Sequence, residues 1–227
     1  MLFLVLGRGK TGSLVAEVAH EHGHSVRVLG EEENHNASAL TPPFLAGFDA
    51  VIDFTTPEAV IHNLRACLAT GARVVVGTTG WYQHLDDLRE LARRKNAGFL
   101  YGTNFSMGVQ AMLRVARELA LAAPAYKFSI TETHHVSKKD APSGTALSLK
   151  QALLAANPKL EVEITSKREG DASGVHVIEA RSGNDVIELR HEAFSRRGFA
   201  EGAVRAAEWI TGKTGVWEFS EIAEKLG

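Results

Sequence analysis

Leu2-Phe3-Leu4-Val5-Leu6-Gly7-Arg8-Gly9-Lys10-Thr11-Gly12 decides the fold. Leu2–Leu6 is a continuous apolar run, as expected of a strand buried on both faces. A Gly-x-Gly-x-x-Gly turn follows at Gly7, Gly9 and Gly12. Ser13–Glu21 then reads as a helix with Leu14, Val15, Val18 and Ala19 on one side, and Ser25–Leu29 as a second strand. Glu31 stands nineteen residues past Gly12. Strand, glycine turn, helix, strand and acid in this order form a dinucleotide fingerprint in its proper context. The glycines let the backbone approach a pyrophosphate, the helix start supplies N–H donors, and Glu31 can accept from the adenosine ribose hydroxyls. Glu31 favours NADH because it would repel a 2′-phosphate; Arg8 and Lys10 can offset that repulsion, so NADPH stays open. Gly9-Lys10-Thr11 resembles the end of a Walker A loop, but the upstream glycine is missing.

The alternation continues. Ala50–Phe54 reads as a strand, Glu58–Thr70 as a helix, Arg73–Val76 as a strand, Asp86–Lys95 as a helix and Gly98–Tyr101 as a strand. In a parallel sheet the loops after the strands face the ligand crevice. Gly77-Thr78-Thr79-Gly80 and Gly102-Thr103-Asn104-Phe105 are two such loops. Gly77, Thr78 and Thr79 offer backbone and hydroxyl groups to a nicotinamide; they also read as a plain turn capped by Thr79. Past Phe105 the pattern changes. Val109–Ala122 is a helix, Lys127–His134 alternates, and Leu160–Ser166, Val175–Ala180 and Val186–His191 read as strands of a second sheet. Phe199–Thr211 is an amphipathic helix.

The second informative stretch is Glu132-Thr-His-His-Val-Ser-Lys-Lys-Asp-Ala-Pro-Ser-Gly-Thr-Ala-Leu147. It packs His134, His135, Lys138, Lys139 and Asp140 ahead of a Pro-Ser-Gly-Thr turn and a helix over Ala146–Ala156. Ser143 or Thr145 can cap that helix, and its free N–H groups suit an anion. Imidazoles and ammonium groups beside an anion hole fit a small carboxylate that needs protons moved at neutral pH. The residues also fit an ordinary exposed turn. A metal on Glu132, His134, His135 and Asp140 matches no common zinc spacing, and Lys138 would add a positive charge there, so no metal is expected.

Composition sets bounds on these readings. A chain of 227 residues with 44% apolar and 23% charged residues can bury a core as one large domain or two small ones. A net charge of −2 argues against a nucleic-acid or membrane-surface partner. The single cysteine, Cys67, excludes an intrachain disulfide and fits a reducing compartment. No apolar run reaches the length of a membrane helix, and the start of the chain lacks the charge and cleavage pattern of a signal peptide. A cytoplasmic protein is expected.

The segment His134 to Ala146, His-His-x-x-Lys-x-Asp-x-Pro-Ser-Gly-Thr-Ala, resembles the signature of the bacterial dihydrodipicolinate reductases. Arg168-Glu169-Gly170, His191 with Ser195-Arg196, and Phe199-Ala200-x-Gly202-Ala203 extend the likeness. The glycine loop is one residue shorter than is usual in that family, the segment Glu32–Gly47 is compact, and Gly102-Thr103 replaces the family's more usual small residues. The resemblance implies an α/β fold: a Rossmann-like dinucleotide-binding domain over 1–105, with the last helix in 196–227 returning to it, and an α+β domain with an open mixed sheet over 106–195. It implies reduction of a cyclic unsaturated dicarboxylate, 4-hydroxy-tetrahydrodipicolinate, to tetrahydrodipicolinate in lysine and diaminopimelate biosynthesis. NADH or NADPH would sit on Gly7, Arg8, Gly9, Lys10, Thr11, Gly12 and Glu31, with the nicotinamide lined by Gly77, Thr78, Thr79, Gly102, Thr103, Asn104 and Phe105. His134 would be the general acid/base and Lys138 the proton donor. A lysine is a poor acid at its ordinary pKa, so a dry pocket with neighbouring cations is expected around it. His135, Gly144 and Thr145 would hold the substrate carboxylates, and domain closure would exclude water. The alternating second sheet suggests pairing with other copies, as a homotetramer.

Three rivals remain at this point. A semialdehyde dehydrogenase would need a thiol nucleophile, and Cys67 falls within a helix. A lyase forming an aldimine on Lys138 would have no use for the glycine fingerprint. A nicotinamide sensor would bind cofactor and turn nothing over.

Overall fold

The computed structural model describes residues 1–226, which form two compact units: Met1–Phe105 together with the chain from Arg196 onward, and Ser106–Ser195.

The first unit opens with strand β1 (Leu2–Leu6), helix α1 (Lys10–Glu21) and strand β2 (Ser25–Leu29). A short helix α2 (Pro42–Leu45) leads to β3 (Ala50–Asp53), α3 (Pro57–Ala69), β4 (Arg73–Val76), α4 (Leu85–Arg94) and β5 (Gly98–Tyr101). Phe3–Leu6, Ala50–Asp53 and Val74–Val76 are buried without a break, which is why these strands read as apolar runs and not as alternations. Leu4, Leu6, Val51, Leu64, Val74 and Trp81 belong to one core cluster beneath α3 and α4. α1 begins at Lys10, three residues before the expected start at Ser13, because Gly9 is its N-cap and the end of the glycine turn is already its first turn.

In the second unit, α5 (Met107–Ala122) and α6 (Gly144–Ala156) cover a four-stranded sheet of β6 (Lys127–His134), β7 (Val162–Arg168), β8 (Val175–Arg181) and β9 (Val186–Glu192). The strand order is β7-β6-β8-β9; β6 runs parallel to β7 and antiparallel to β8, so the sheet is mixed and open. Phe128, Ile130, Glu132 and His134 alternate onto the buried face of β6. α6 starts at Gly144 and is capped by Ser143, whose hydroxyl accepts from Ala146 N–H at 3.2 Å; Thr145 lies inside the first turn and is not the cap. β7 runs to Arg168, beyond the expected end at Ser166, because its pairing with β6 continues to His134 opposite Arg168.

The chain then returns to the first unit as α7 (Arg197–Ile210), β10 (Gly215–Glu218) and α8 (Phe219–Ile222). α7 packs its alanine-rich stripe on α1, β3 and β4. The first sheet is parallel throughout, in the order β10-β5-β4-β3-β1-β2. The strand β10, the helix α8, and α2 with its preceding turn at His35–Ala37 are elements the periodicity of the sequence does not announce.

Candidate active site

Strand order reverses between β1 and β3, and at that switch the loops after both strands meet. Gly7 follows β1 with φ +105°, and a Cβ there would stand 2.2 Å from the Phe54 carbonyl oxygen. A Cβ on Gly12 would stand 2.1 Å from the Gly7 carbonyl oxygen. Both positions need glycine for the protein's own packing. A Cβ on Gly9 would meet nothing within 4 Å, so its exposed backbone is left open to a ligand at the start of α1. The helix carries no side-chain cap there, and its first N–H groups face outward beside Arg8 and Lys10. A cavity of about 400 Å³ opens over this turn, lined among others by Gly7, Gly9, Glu31, Asn34, Thr55 and Glu58. An open turn of N–H groups below a cavity with an acid on its far wall fits a dinucleotide.

Beneath the cavity lies a buried polar chain. Asn34 donates to Asn63 at 2.9 Å, and Asn63 donates to Asp53 at 2.9 Å. The other Asp53 oxygen accepts from the hydroxyls of Thr55 and Thr78, each at 2.7 Å. Burial pushes the Asp53 carboxyl above its ordinary range, and these hydrogen bonds oppose that. The hydroxyl of Thr78 is therefore committed inside the protein, and Thr79 is the exposed hydroxyl of that turn. Phe105 is buried, with its ring 4.4 Å from that of Phe219, and Gly102 is buried beside it; Thr103 is exposed and Asn104 half-buried. The side chains of Thr78 and Phe105 are thus buried, and Gly102 has none to offer. Glu31 lines the cavity, but it is Glu33 that binds Arg8, at 2.7 Å, and accepts from Gly30 N–H at 2.7 Å.

In the second unit one row crosses the covered face of the sheet: Ser166, Glu132, His176 and His191 are successive cross-strand partners, with His134 and Arg168 paired in the next row. Nδ1 of His134 is hydrogen-bonded to Glu132, and Arg168 donates to the other Glu132 oxygen at 3.0 Å. Glu132 is fully buried; burial alone would raise its carboxyl, but hydrogen bonds from Ser166, Arg168 and His134 outweigh that and hold it below the ordinary range. Burial keeps His134 below the ordinary imidazole range, against the pull of Glu132. A carboxylate only accepts, so Nδ1 carries the proton and Nε2 keeps its lone pair. Burial pushes His176 down to about 4; its Nε2 lies 3.0 Å from the Ser143 hydroxyl, which joins β8 to the cap of α6.

Arg168 also donates to the carbonyls of Lys138 at 3.3 Å and Asp140 at 2.6 Å, and so holds that loop against β7. The Lys138 ammonium donates to Asp140 at 2.7 Å, and this contact holds the Asp140 carboxyl below its ordinary range. The neighbour of Lys138 is thus a carboxylate, where the sequence suggested cations. His135 is half-buried and hydrogen-bonded to Ser137 at 2.8 Å. Gly144 and Thr145 open α6. His134, Lys138, His135, Gly144 and Thr145 all belong to this one unit. Glu132 and His176, with His134, could geometrically hold a metal, their ligand atoms lying within 4.8 Å of one another. Arg168 already compensates Glu132, however, and an added cation would face its guanidinium. Sequence reasoning passed over Glu132 as a partner of His134, although two-residue spacing in an alternating strand puts both on one face. Arg168 and His176 come from distant strands and gave no such signal.

The chain matches the family models described as dihydrodipicolinate reductase, N-terminus, over residues 1–105, and dihydrodipicolinate reductase, C-terminus, over residues 108–222. It is 34% identical to a 4-hydroxy-tetrahydrodipicolinate reductase of Christiangramia forsetii, covering 100% of this chain and 99% of the relative. A protein of the same name from Natronomonas pharaonis is 38% identical over 92% of this chain and 94% of its own. Among solved structures, a dipicolinate-bound dihydrodipicolinate reductase from Paenisporosarcina sp. TG-14 superimposes with a TM-score of 0.79 at 25% identity, covering 98% of this chain and 99% of that one.

Proposed function

The chain belongs to the dihydrodipicolinate reductase family, and we propose that the two sites just described divide that family's reaction between them. The protein is an NAD(P)H-dependent oxidoreductase that reduces 4-hydroxy-tetrahydrodipicolinate to tetrahydrodipicolinate, in the diaminopimelate route to lysine. The bound nicotinamide supplies a hydride. The pyrophosphate rests on the N–H groups from Gly9 to Gly12, with Arg8, Lys10 and Thr11 beside it and the adenosine ribose at Glu31. Gly77, Thr79, Thr103 and Asn104 border the nicotinamide, with backbone contacts from Thr78, Gly102 and Phe105.

The observation that carries the catalytic assignment is the hydrogen bond from His134 to Glu132. It leaves Nε2 of His134 ready to take or return a proton while Glu132 stabilises the imidazolium. Lys138, held by Asp140, delivers the proton to the ring carbon that does not receive hydride. His135 and the N–H groups of Gly144 and Thr145 hold the substrate carboxylates at the start of α6. Burial of Cys67 in α3 raises its thiol pKa, which disfavours the thiol chemistry of a semialdehyde dehydrogenase.

The outer face of the second sheet, with Val175 and Val177 half-buried and Val186 exposed, would pair with other copies in a homotetramer; light scattering on the eluted protein tests this. No helix among the described residues is long and apolar enough to cross a membrane, and a cytoplasmic location suits the single reduced thiol. The deciding assay follows NADH and NADPH oxidation with substrate made in the cuvette by dihydrodipicolinate synthase. Oxidation that needs every component supports the reading. Cofactor binding without oxidation would favour a nicotinamide sensor instead.

A further inference from the structure

A second group of metal-ligating side chains lies in the first unit and plays no part in the reaction. His22 caps the end of α1, His24 directly precedes β2, and Glu208 stands on α7. Nδ1 of His22 and Nε2 of His24 both point at one oxygen of Glu208, at 2.9 and 2.8 Å. The three ligand atoms lie within 4.8 Å of one another.

We infer that His22, His24 and Glu208 form a binding site for a divalent transition-metal ion such as Zn²⁺. Two imidazoles and one carboxylate are a donor set suited to zinc, cobalt or nickel, and they bring one negative charge to meet the ion. Ligands about 2.0–2.2 Å from zinc in a tetrahedron stand about 3.3 Å apart, so the Glu208 oxygen backs off by about half an ångström to admit the ion. His22 is held as metal-bound imidazoles are usually held, while Nδ1 of His24 lies 3.5 Å from the Met1 amino group. Nε2 of His22 lies 3.3 Å from Glu201, a carboxylate that can accept the ring's other N–H once Nδ1 is on the metal. The His24 ring stacks edge-on against Phe3 at 4.7 Å between centroids. Side-chain exposures of 28% for His22, 11% for His24 and 30% for Glu208 leave a path for the ion and room for water ligands. The group contrasts with Glu132, His134 and His176, where a guanidinium already occupies the carboxylate. A bound ion would fasten the βαβ entry of the unit to the helix that returns from the far end of the chain.

The test uses untagged, EDTA-treated protein titrated with Zn²⁺, and with Co²⁺ for its visible absorption. One ion per chain is expected, with a Co²⁺ spectrum of mixed nitrogen and oxygen ligands, and Zn²⁺ should raise Tm. H22Q and H24Q should each abolish the spectrum and the Tm rise without changing reductase turnover; E201Q should weaken binding roughly tenfold, as loss of an outer partner does. If H24Q fails to fold because its ring packs on Phe3, the more exposed H22Q decides. Absence of stoichiometric binding overturns the site. So does binding that survives H22Q, or that is lost in H134Q and so belongs to the other cluster.

Discussion

His134 stands two residues beyond Glu132 on the covered face of β6, and its Nδ1–H is donated to that buried carboxylate. The pair sets the tautomer of the imidazole and steadies its charged form. Glu132→Gln keeps the shape but removes the charge. Expected are a fall in kcat of roughly tenfold to a hundredfold and little change in KM. Because Glu132 raises the His134 pKa, the acid limb of kcat/KM should move to lower pH in the variant. An unmoved limb would separate Glu132 from the proton chemistry.

His134→Gln and Lys138→Ala should each lower kcat by about 10²-fold to 10⁴-fold, the usual range for a general acid or base. NADH affinity, measured by fluorescence titration, should stay as in the native protein, since both residues lie in the unit that does not carry the glycine turn. Turnover that persists in either variant removes that residue from the mechanism.

Arg8 lines the cavity over the glycine turn and is bound by Glu33 at 2.7 Å. Glu33→Gln should release the guanidinium for a 2′-phosphate. The ratio of kcat/KM for NADPH over NADH should rise by roughly threefold to tenfold, and most clearly at low salt.

Thr78 donates to Asp53 and accepts from Thr55 N–H at 2.8 Å. Thr78→Val takes a hydroxyl donor from the buried Asp53 carboxylate, while Thr55 N–H keeps Asp53 as its acceptor at 3.0 Å, and should cost about 1–3 kcal/mol in urea unfolding. Thr79→Val, at an exposed position, should leave stability unaltered and act on nicotinamide binding alone. Equal stability of the two variants would contradict the committed role of the Thr78 hydroxyl.

His176 is neutral in the fold, its pKa pushed down by burial from 6.5 to about 4. The unfolded chain takes up that proton first as pH falls. Its stabilising contribution is therefore whole above pH 6.5 and lost progressively down to about 4, amounting to roughly 3 kcal/mol. His176→Gln removes the titrating ring, so stability should fall less steeply between those pH values. A curve of native slope would show that His176 is already solvated.

The sequence by itself determined the nucleotide-binding half of the fold and marked the stretch to which we assign the chemistry. Those signals are local: an apolar run, three glycines whose neighbours tolerate no Cβ at two of them, a helix period, and a thirteen-residue stretch from His134 to Ala146. Alternation in Lys127–His134 also placed Phe128 and Ile130 on one face, and the same alternation puts Glu132 and His134 there. Only the tertiary structure decided which polar side chains are consumed within the protein. Thr78 turns inward to Asp53, Phe105 packs on Phe219, and Arg168 reaches Glu132 from a strand more than thirty residues away. The same holds for β10, whose Val216 and Trp217 become strand residues by pairing with Phe99 and Leu100. A helical hydrogen-bond pattern or a helix cap is set by neighbours in sequence, whereas strand pairing and ring packing need partners from distant parts of the chain. A buried polar atom takes whichever partner the fold brings within reach, because leaving it without one costs more than any local preference it has.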